Sequence, residues 1–187
     1  MPASLVLTFR SMAYNNAWAN QRLLTACLDL SQADFEAPRV GFFGSIQATL
    51  NHILIVDLFY VDALEGGSLG PGAWADPMPC RTPPALAAAQ ADVDRRLVAW
   101  CDDLQPAGLD QVVHVHREDR IQHERADRLL LHVFEHQIHH RGQAHAMLSA
   151  TSVEPPQLDE FFCAGEAPLR AEEFTALGWT EEAIWGP

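Results

Sequence analysis

Basic side chains are scarce in this sequence. Its 187 residues include 12 Lys plus Arg against 25 Asp plus Glu, which gives a formal net charge of −13 at pH 7. A surface with this charge repels a phosphate backbone over most of its area. The charge balance therefore argues against a nucleic-acid-binding protein, and we expect no nucleic acid among the partners.

Cysteine is rare as well, and its placement excludes two kinds of small domain. The four cysteines form no CxxC pair and lie far apart, at Cys27, Cys80, Cys101 and Cys163. This spacing fits neither a zinc ribbon nor the disulfide framework of a small secreted domain. It is typical of a protein in a reducing compartment.

A signal-peptide pattern and a long hydrophobic run are also missing. Residues 1–10 lack the basic start and the apolar stretch of a signal peptide, and the strongest apolar block, residues 53–59, contains Asp57. We therefore expect a cytoplasmic protein with no membrane partner. The composition, 48 % hydrophobic and 20 % charged, predicts a single domain over residues 1–187.

The dominant pattern in the sequence is helical periodicity. Apolar residues recur at helical spacing in four segments, which predicts an all-α fold built on four long helices. Ser4, Ser45 and Thr82 are placed to cap the first three helices. The four segments begin near Ser4, Ser45, Thr82 and Asp127 and end near Cys27, Gly66, Pro106 and Ala150.

Three connecting or terminal segments are long. Residues 66–79 are rich in glycine and proline and are expected to cross between helices rather than to separate two domains. Residues 111–126 alternate loosely, so a small hairpin and an irregular excursion both remain open. Short apolar pieces in residues 152–187 predict a C-terminal extension that wraps around the helices.

The first predicted helix has two apolar sides. Beside its main stripe, Leu7, Tyr14 and Trp18 form a second seam on the opposite side. A helix with two apolar seams contacts more than one neighbour, either within the chain or on a second copy of it. We expect this seam to contribute to a homodimer.

The fourth predicted helix is rich in histidine, with four of the nine histidines within residues 132–140. Histidines four residues apart lie one helical turn above each other, about 6 Å apart, so that both imidazoles can reach one cation. Helical angles place His136 and His140 at the edge of the inward face, whereas His132 and His139 point further towards solvent. We therefore predict His136 and His140 as metal ligands.

A third ligand has to come from another part of the chain. His52 is the natural candidate, because it is an isolated imidazole in a nearly all-apolar helix and needs a polar partner there. Two alternatives remain open at this point. In the first, a backbone carbonyl satisfies His52; in the second, the histidine-rich turn is a solvated face.

Other catalytic motifs are missing. Residues 123–127 begin like HExxH but end in Asp127, no Glu is followed by His at the third position, and there is no P-loop, GxSxG or dinucleotide fingerprint. These absences argue against a zincin, a ferritin-like di-iron protein and a nucleotide-binding enzyme. His114, His116 and His123 are expected to be exposed.

Asp57 and Arg141 both fall within apolar arcs of predicted helices. A lone charge in either position is costly, so we predict a buried ion pair between them. The alternative is that each side chain reaches solvent.

Several motifs occur in a fixed order along the chain. They are NNAWANQRL at residues 15–23, Ser45 with Ile46, Asn51-His52-Ile53 with Asp57, and HQIHHRGQ at residues 136–143. Over residues 14–162 the sequence resembles the DinB/YfiT-like family of metalloenzymes, and the HxxHHRGQ motif is its most specific part. The resemblance implies a four-helix bundle with long crossover connections, homodimerisation, and a divalent metal held by His52, His136 and His140.

The predicted function follows from this site and from the resemblance. Three neutral imidazoles leave a coordination position open on a divalent transition metal, which we expect to be Zn or Ni, or else Fe or Mn, with one ion per chain. Relatives of this family include S-transferases and isomerases that use small thiols such as bacillithiol, mycothiol or glutathione. We therefore expect thiol-dependent S-transferase or hydrolase chemistry on a small molecule. The alternative is a non-catalytic, metal-stabilised module.

Overall fold

The computed structural model describes residues 2–186, and for Pro2 and Ala3 it describes the backbone only. The predicted domain over residues 1–187 includes residues 1 and 187, which lie outside the described residues. Seven α-helices lie within residues 2–186: α1 Pro2–Cys27, α2 Gln32–Glu36, α3 Ile46–Leu64, α4 Pro83–Asp103, α5 Ala126–Leu148, α6 Ala167–Leu177 and α7 Glu181–Trp185. Short 3-10 turns lie at Gly70–Trp74, Pro106–Gly108 and Ala164–Glu166.

The predicted caps explain where two of the four long helices begin. The side chain of Ser45 accepts a hydrogen bond from the backbone of Ala48 at the start of α3, and Thr82 does the same for Ala85 at the start of α4. Ser4 is not a cap, because α1 already begins at Pro2. These side chains compensate for missing intrahelical partners in the first turn, so they fix where α3 and α4 begin.

The four long helices share one hydrophobic core. α1 packs along α4, α3 packs along α5, and α3 also contacts α4. Fifteen of the 19 residues of α3 are buried, so α3 lies at the centre of the core. Full burial of each large apolar side chain contributes roughly 1.5–3 kcal/mol. None of the helices within the described range is long and apolar enough to cross a membrane.

Residues 112–125 form a β-hairpin, which is one of the two alternatives that the sequence left open. Strand β1 (Val112–His116) pairs antiparallel with β2 (Ile121–Arg125), so the irregular excursion left open by the sequence is wrong. Val113 and Val115 point into the core while their neighbours remain more exposed, which is the period of two that favours a strand. The fold is therefore mainly helical with one small hairpin.

The C-terminal extension covers Tyr14 and Trp18 in the second seam of α1. The indole nitrogen of Trp18 donates to Glu173 at 2.7 Å, and its ring lies 5.5 Å from that of Phe161. Tyr14 packs edge-on against Trp179 at 4.9 Å. Tyr14 and Trp18 are thus buried within the chain, whereas Leu7 is half-buried, and the homodimer stays a prediction.

Asp57 and Arg141 are both buried, as predicted, but they do not form the predicted ion pair. No carboxylate among residues 2–186 lies within 4.0 Å of the Arg141 guanidinium, which instead donates to Asn16 at 2.7 Å and to Asn20 at 2.9 Å. Both asparagines in turn donate to Asp94, and Gln90 donates to Asp57 and Asp94. Side-chain amides therefore separate the buried charges.

Candidate metal centre

The structure brings His52, His136 and His140 together. One nitrogen from each imidazole lies within 4.8 Å of the other two. The Nε2 atoms of His52 and His136 are 2.9 Å apart, although 84 residues separate them in sequence. The predicted residues therefore form one cluster, and their role as metal ligands stays a prediction.

Adjacent helices produce this arrangement. His52 lies on α3, His136 and His140 lie one turn apart on α5, and α3 packs along α5. The ring centroids are 4.9, 4.8 and 4.5 Å apart for the pairs 52–136, 52–140 and 136–140. All three residues are half-buried at the edge of the core. Rigid helices thus hold the three rings against one another.

The remaining histidines stay outside the cluster. His132 and His139 are exposed, as the helical angles predict. His114 and His123 are exposed and face each other across the hairpin, with ring centroids 4.8 Å apart. His116 is half-buried rather than exposed, because it lies at the end of β1 that packs against residues 70–74.

Burial keeps the clustered imidazoles neutral. Desolvation, together with the neighbouring histidines, lowers the pKa of His136 to about 3. The same two causes lower the pKa of His52 to about 4, and desolvation also lowers the pKa of His140. Neutral imidazole is the form that binds metal. All three side chains are therefore available as ligands at neutral pH.

Gln143 determines which nitrogen of His140 is free. Its side-chain oxygen lies 2.9 Å from Nδ1 of His140, and its amide nitrogen lies 3.1 Å from Nε2 of His139. An amide oxygen only accepts, so Nδ1 of His140 carries the proton and donates it. The lone pair is then on Nε2, which is the atom left to bind a metal.

His136 is not satisfied by the protein alone. Its Nδ1 atom is buried without a hydrogen-bond partner among the described residues, and its Nε2 atom contacts only the imidazole of His52. An unpartnered buried polar atom costs about 1–3 kcal/mol. Nε2 is the atom that faces His52, so a metal bound there would leave Nδ1 unpartnered, and the case for a bound group rests on the facing Nε2 atoms.

The donor set fits a transition metal. Nitrogens that share one tetrahedral ion lie roughly 3.3 Å apart, close to the separation of His52 and His136. Within residues 2–186 no Cys, Asp or Glu joins the three histidines. No hydrogen bond from His52 to a backbone carbonyl occurs in the described range, so that alternative lacks support. Three neutral nitrogen donors leave room for an external ligand.

Phe43 forms one wall of the cluster. Its ring stacks on His52 at 4.1 Å and lies edge-on to His140 at 5.3 Å. Phe43 belongs to the loop between α2 and α3, where no hydrophobic periodicity exists to reveal it. Sequence reasoning therefore missed this contact. Gln143 was noted as part of the HxxHHRGQ motif, but its contact with His140 was missed, although a spacing of three residues on one helix was an available signal.

These observations define a class of protein: mainly helical, with a three-histidine cluster between two packed helices. The chain belongs to the DinB family, whose sequence model matches residues 1–172. This finding confirms the family named from the motifs.

Comparison with solved structures supports the same fold. A DinB-like protein from Bacillus cereus ATCC 10987 is similar to this chain with a TM-score of 0.60 and 14 % sequence identity. The match covers 77 % of this chain and 91 % of that protein. At this identity the similarity concerns the fold alone. No curated protein matches the sequence.

Proposed function

We propose that His52, His136 and His140 bind one divalent transition metal per chain, and that the protein is a metal-dependent enzyme acting on a small molecule. The reaction class is thiol-dependent S-transfer or hydrolysis. The observation that carries this proposal is the convergence of three neutral imidazole nitrogens without a carboxylate or thiolate among the described residues. Membership of the DinB family is compatible with metal binding at this cluster.

The protein's own side chains would prepare this site. When bound, the ion would supply positive charge that stabilises a thiolate or a hydroxide. Burial keeps His52 and His136 unprotonated, and Gln143 holds His140 in the tautomer that presents Nε2. Phe43 covers His52 on one side and excludes water there. No protein nucleophile is required for this chemistry.

The identity of the metal follows from the ligand type only in part. Imidazole suits Zn, Ni, Cu and Fe, and it is less typical of Mn. We propose Zn or Ni, with Fe or Mn as the alternatives. Elemental analysis of protein purified without added metal distinguishes them.

A non-catalytic module is the second candidate. The cluster joins α3 to α5, so a metal there would also tie the two helices together. This role needs no substrate and no exchangeable ligand. It predicts that removal of the metal unfolds the protein, whereas an enzyme need lose only activity.

Architecture and partners are part of the proposal. We infer that α1, α3, α4 and α5 form the four-helix bundle with long crossovers that the sequence predicts. A homodimer is proposed from the family resemblance alone, because the seam of Tyr14 and Trp18 is covered within the chain. A small-molecule thiol is the proposed co-substrate. The cytoplasmic location stays a prediction.

The test compares three forms of the protein: metal-loaded, chelated, and His140→Ala. Each is assayed for conjugation of glutathione, bacillithiol and mycothiol to model electrophiles, and for ester and amide hydrolysis. The proposal expects activity in the metal-loaded form only. If no activity depends on the metal, and chelation abolishes the helical circular dichroism signal, the non-catalytic module is the better account.

A further inference from the structure

Arg117 differs from most arginines of this chain in having no carboxylate partner. All twelve basic residues are arginines, and nine of them lie within 4.0 Å of a carboxylate. Among residues 2–186, Arg117, Arg128 and Arg141 do not. Arg128 is exposed to solvent, and Arg141 is bound by the buried asparagines. Arg117 is half-buried, so its unpaired charge in so acidic a protein calls for another explanation.

The guanidinium of Arg117 lies in an aromatic pocket. A cavity of about 180 Å³ is lined by Phe59, Pro71, Trp74, His116, Arg117 and Glu118. Cζ of Arg117 lies 4.8 Å above the ring of Phe59, which packs edge-on against Trp74 at 4.7 Å. The cavity therefore combines flat apolar walls with one cation.

Hydrogen bonds orient Arg117 but do not exhaust its donors. Nε donates to Gln122 at 3.0 Å, and Nη2 donates to the hydroxyl of Tyr60 at 3.2 Å. A guanidinium has five N–H groups, so three remain. Tyr60 and Gln122 therefore orient the guanidinium, and its remaining N–H groups can donate to an anion in the pocket.

The backbone around the pocket is closely packed. Gly70 has a positive φ of 49°, and a Cβ atom at this position would lie 2.9 Å from Cβ of His116 and 3.1 Å from its carbonyl oxygen. Only glycine fits this approach without a shift. Residues 70–74, which carry Trp74, are therefore held against the end of β1, and the walls of the pocket are fixed before a ligand arrives.

The pocket and the histidine cluster lie on the same helix, because Phe59 of the pocket is about two turns, or roughly 10 Å, beyond His52 on α3. Tyr60 is two turns beyond His52 on α3, and its ring lies 5.2 Å from that of His132. His132 in turn lies 6.2 Å from His136. Arg117 and Phe43 are thus on opposite sides of the cluster along the α3–α5 face. A ligand that spans this distance would contact the pocket and the cluster together.

We propose that the pocket binds the carboxylate of the small-molecule substrate, with Arg117 as the donor and Phe59 and Trp74 packed against an adjoining flat apolar group. The inference rests on the proposed function, because the other end of the molecule is assigned to the three histidines. A monoanion is favoured over a phosphate dianion. Arg117 is the only cation of the lining, Glu118 lies beside it, and the chain as a whole is acidic.

Binding of phenylacetate to the metal-free protein tests the anchor separately from the metal. Isothermal titration is carried out on the wild type, Arg117→Gln and Arg120→Gln, with the neutral isostere phenylacetamide as the second probe. Arg120 is the matched control, because it lies in the same hairpin but is exposed and paired with Asp119. Arg117→Gln should weaken phenylacetate binding about tenfold or more, and Arg120→Gln should not.

Three results would overturn the inference: no phenylacetate binding to the wild type, equal binding to Arg117→Gln, or equal binding of the acid and the amide. Arg117→Lys keeps the charge without the planar fork, so it should retain part of the affinity. Circular dichroism of each variant shows that the fold is intact.

Metal content and turnover separate this inference from the proposed function. If the protein holds one metal and has metal-dependent activity, but phenylacetate binding does not depend on Arg117, only the pocket assignment fails. If binding depends on Arg117 but the protein holds no metal, the proposed function alone fails. When both hold, Arg117→Gln should raise KM for carboxylate substrates much more than for their amides and should change kcat little.

Discussion

Gln143 accepts a hydrogen bond from Nδ1 of His140 at 2.9 Å while its amide nitrogen contacts His139. The amide is therefore fixed from both ends, and it fixes the tautomer of His140. Nε2 of that imidazole is left to face His52 and His136. Gln143 is thus placed to orient His140, which lies three residues before it on the same helix.

Gln143→Leu should lower metal affinity about 10–100-fold, because His140 loses the acceptor that selects its tautomer. Competition with a metallochromic chelator measures the affinity. Gln21→Leu is the control, since Gln21 is an exposed glutamine on α1 and does not contact the cluster. Equal affinity in wild type and Gln143→Leu would show that this hydrogen bond does not orient the ligand.

Metal retention should fall with acidity, but at a lower pH than ordinary histidine predicts. Coordination needs neutral imidazole, and burial lowers the pKa of His52 to about 4 and that of His136 to about 3. Protons therefore compete with the metal only well below the ordinary value of 6.5. From the ordinary pKa of histidine, the metal would be lost below about pH 6. Burial of the imidazoles lowers the pH of this loss towards about pH 4. Metal occupancy at limiting metal, followed from pH 8 to pH 3, measures this.

A loss centred near pH 6.5 would indicate that the imidazoles are solvated, contrary to the burial of the cluster. Occupancy that does not fall between pH 8 and pH 3 would show that protonation of these imidazoles does not control metal retention.

Arg141→Met should destabilise the protein by about 3 kcal/mol or more at pH 7, because it leaves a buried carboxylate without its compensating charge. Burial raises the pKa of Asp94 to about 6, so this carboxyl is mainly ionised at pH 7. Burial raises the pKa of Asp57 well above its ordinary value, so Asp57 is the carboxyl that holds a proton more readily. Urea unfolding at pH 7 and pH 5 measures the difference.

The loss of stability caused by Arg141→Met should be smaller at pH 5 than at pH 7. A raised pKa means that the native state binds a proton which the unfolded state releases, so acidification through about pH 6 favours the native state. Removal of Arg141 strengthens this effect, since its charge lowers the pKa of Asp94. Arg128→Met, an exposed change on the same helix, should cost little. A loss independent of pH would contradict the role given to Asp94.

The cysteines should be dispensable for metal binding and activity. Burial raises the pKa of Cys27 and that of Cys101 to about 12 and also raises the pKa of Cys80, so these thiols stay protonated. Cys163 is exposed. A thiol reagent should modify one cysteine in the native protein, and Cys163→Ser should keep full metal content and activity. Loss of activity in Cys163→Ser would require a thiol nucleophile.

Helical periodicity predicted the four long helices because each buries one continuous apolar stripe in the core. It also selected His136 and His140 from four neighbouring histidines, since the angle around a helix decides which side chains face inward. His52 was predicted by a different argument, namely that an imidazole in the apolar α3 needs a polar contact.

Features that depend on loops or on long-range packing were not predictable in this way. Phe43 lies in a loop without periodicity, and the contact between Trp18 and Glu173 joins residues 155 apart. Asp57 and Arg141 were correctly placed in the core, but asparagine and glutamine side chains lie between them and the other charges. Spacing within one helix carries no information on which polar side chain another helix contributes.

Metal content of five histidine variants tests the central claim most directly. Wild type, His132→Ala and His139→Ala should each hold about one divalent ion per chain, because these two side chains are exposed and outside the cluster. His52→Ala, His136→Ala and His140→Ala should each lose it, since a site with three protein ligands cannot spare one. Elemental analysis after dialysis against metal-free buffer gives the stoichiometry. Equal metal in wild type and His52→Ala would contradict the account.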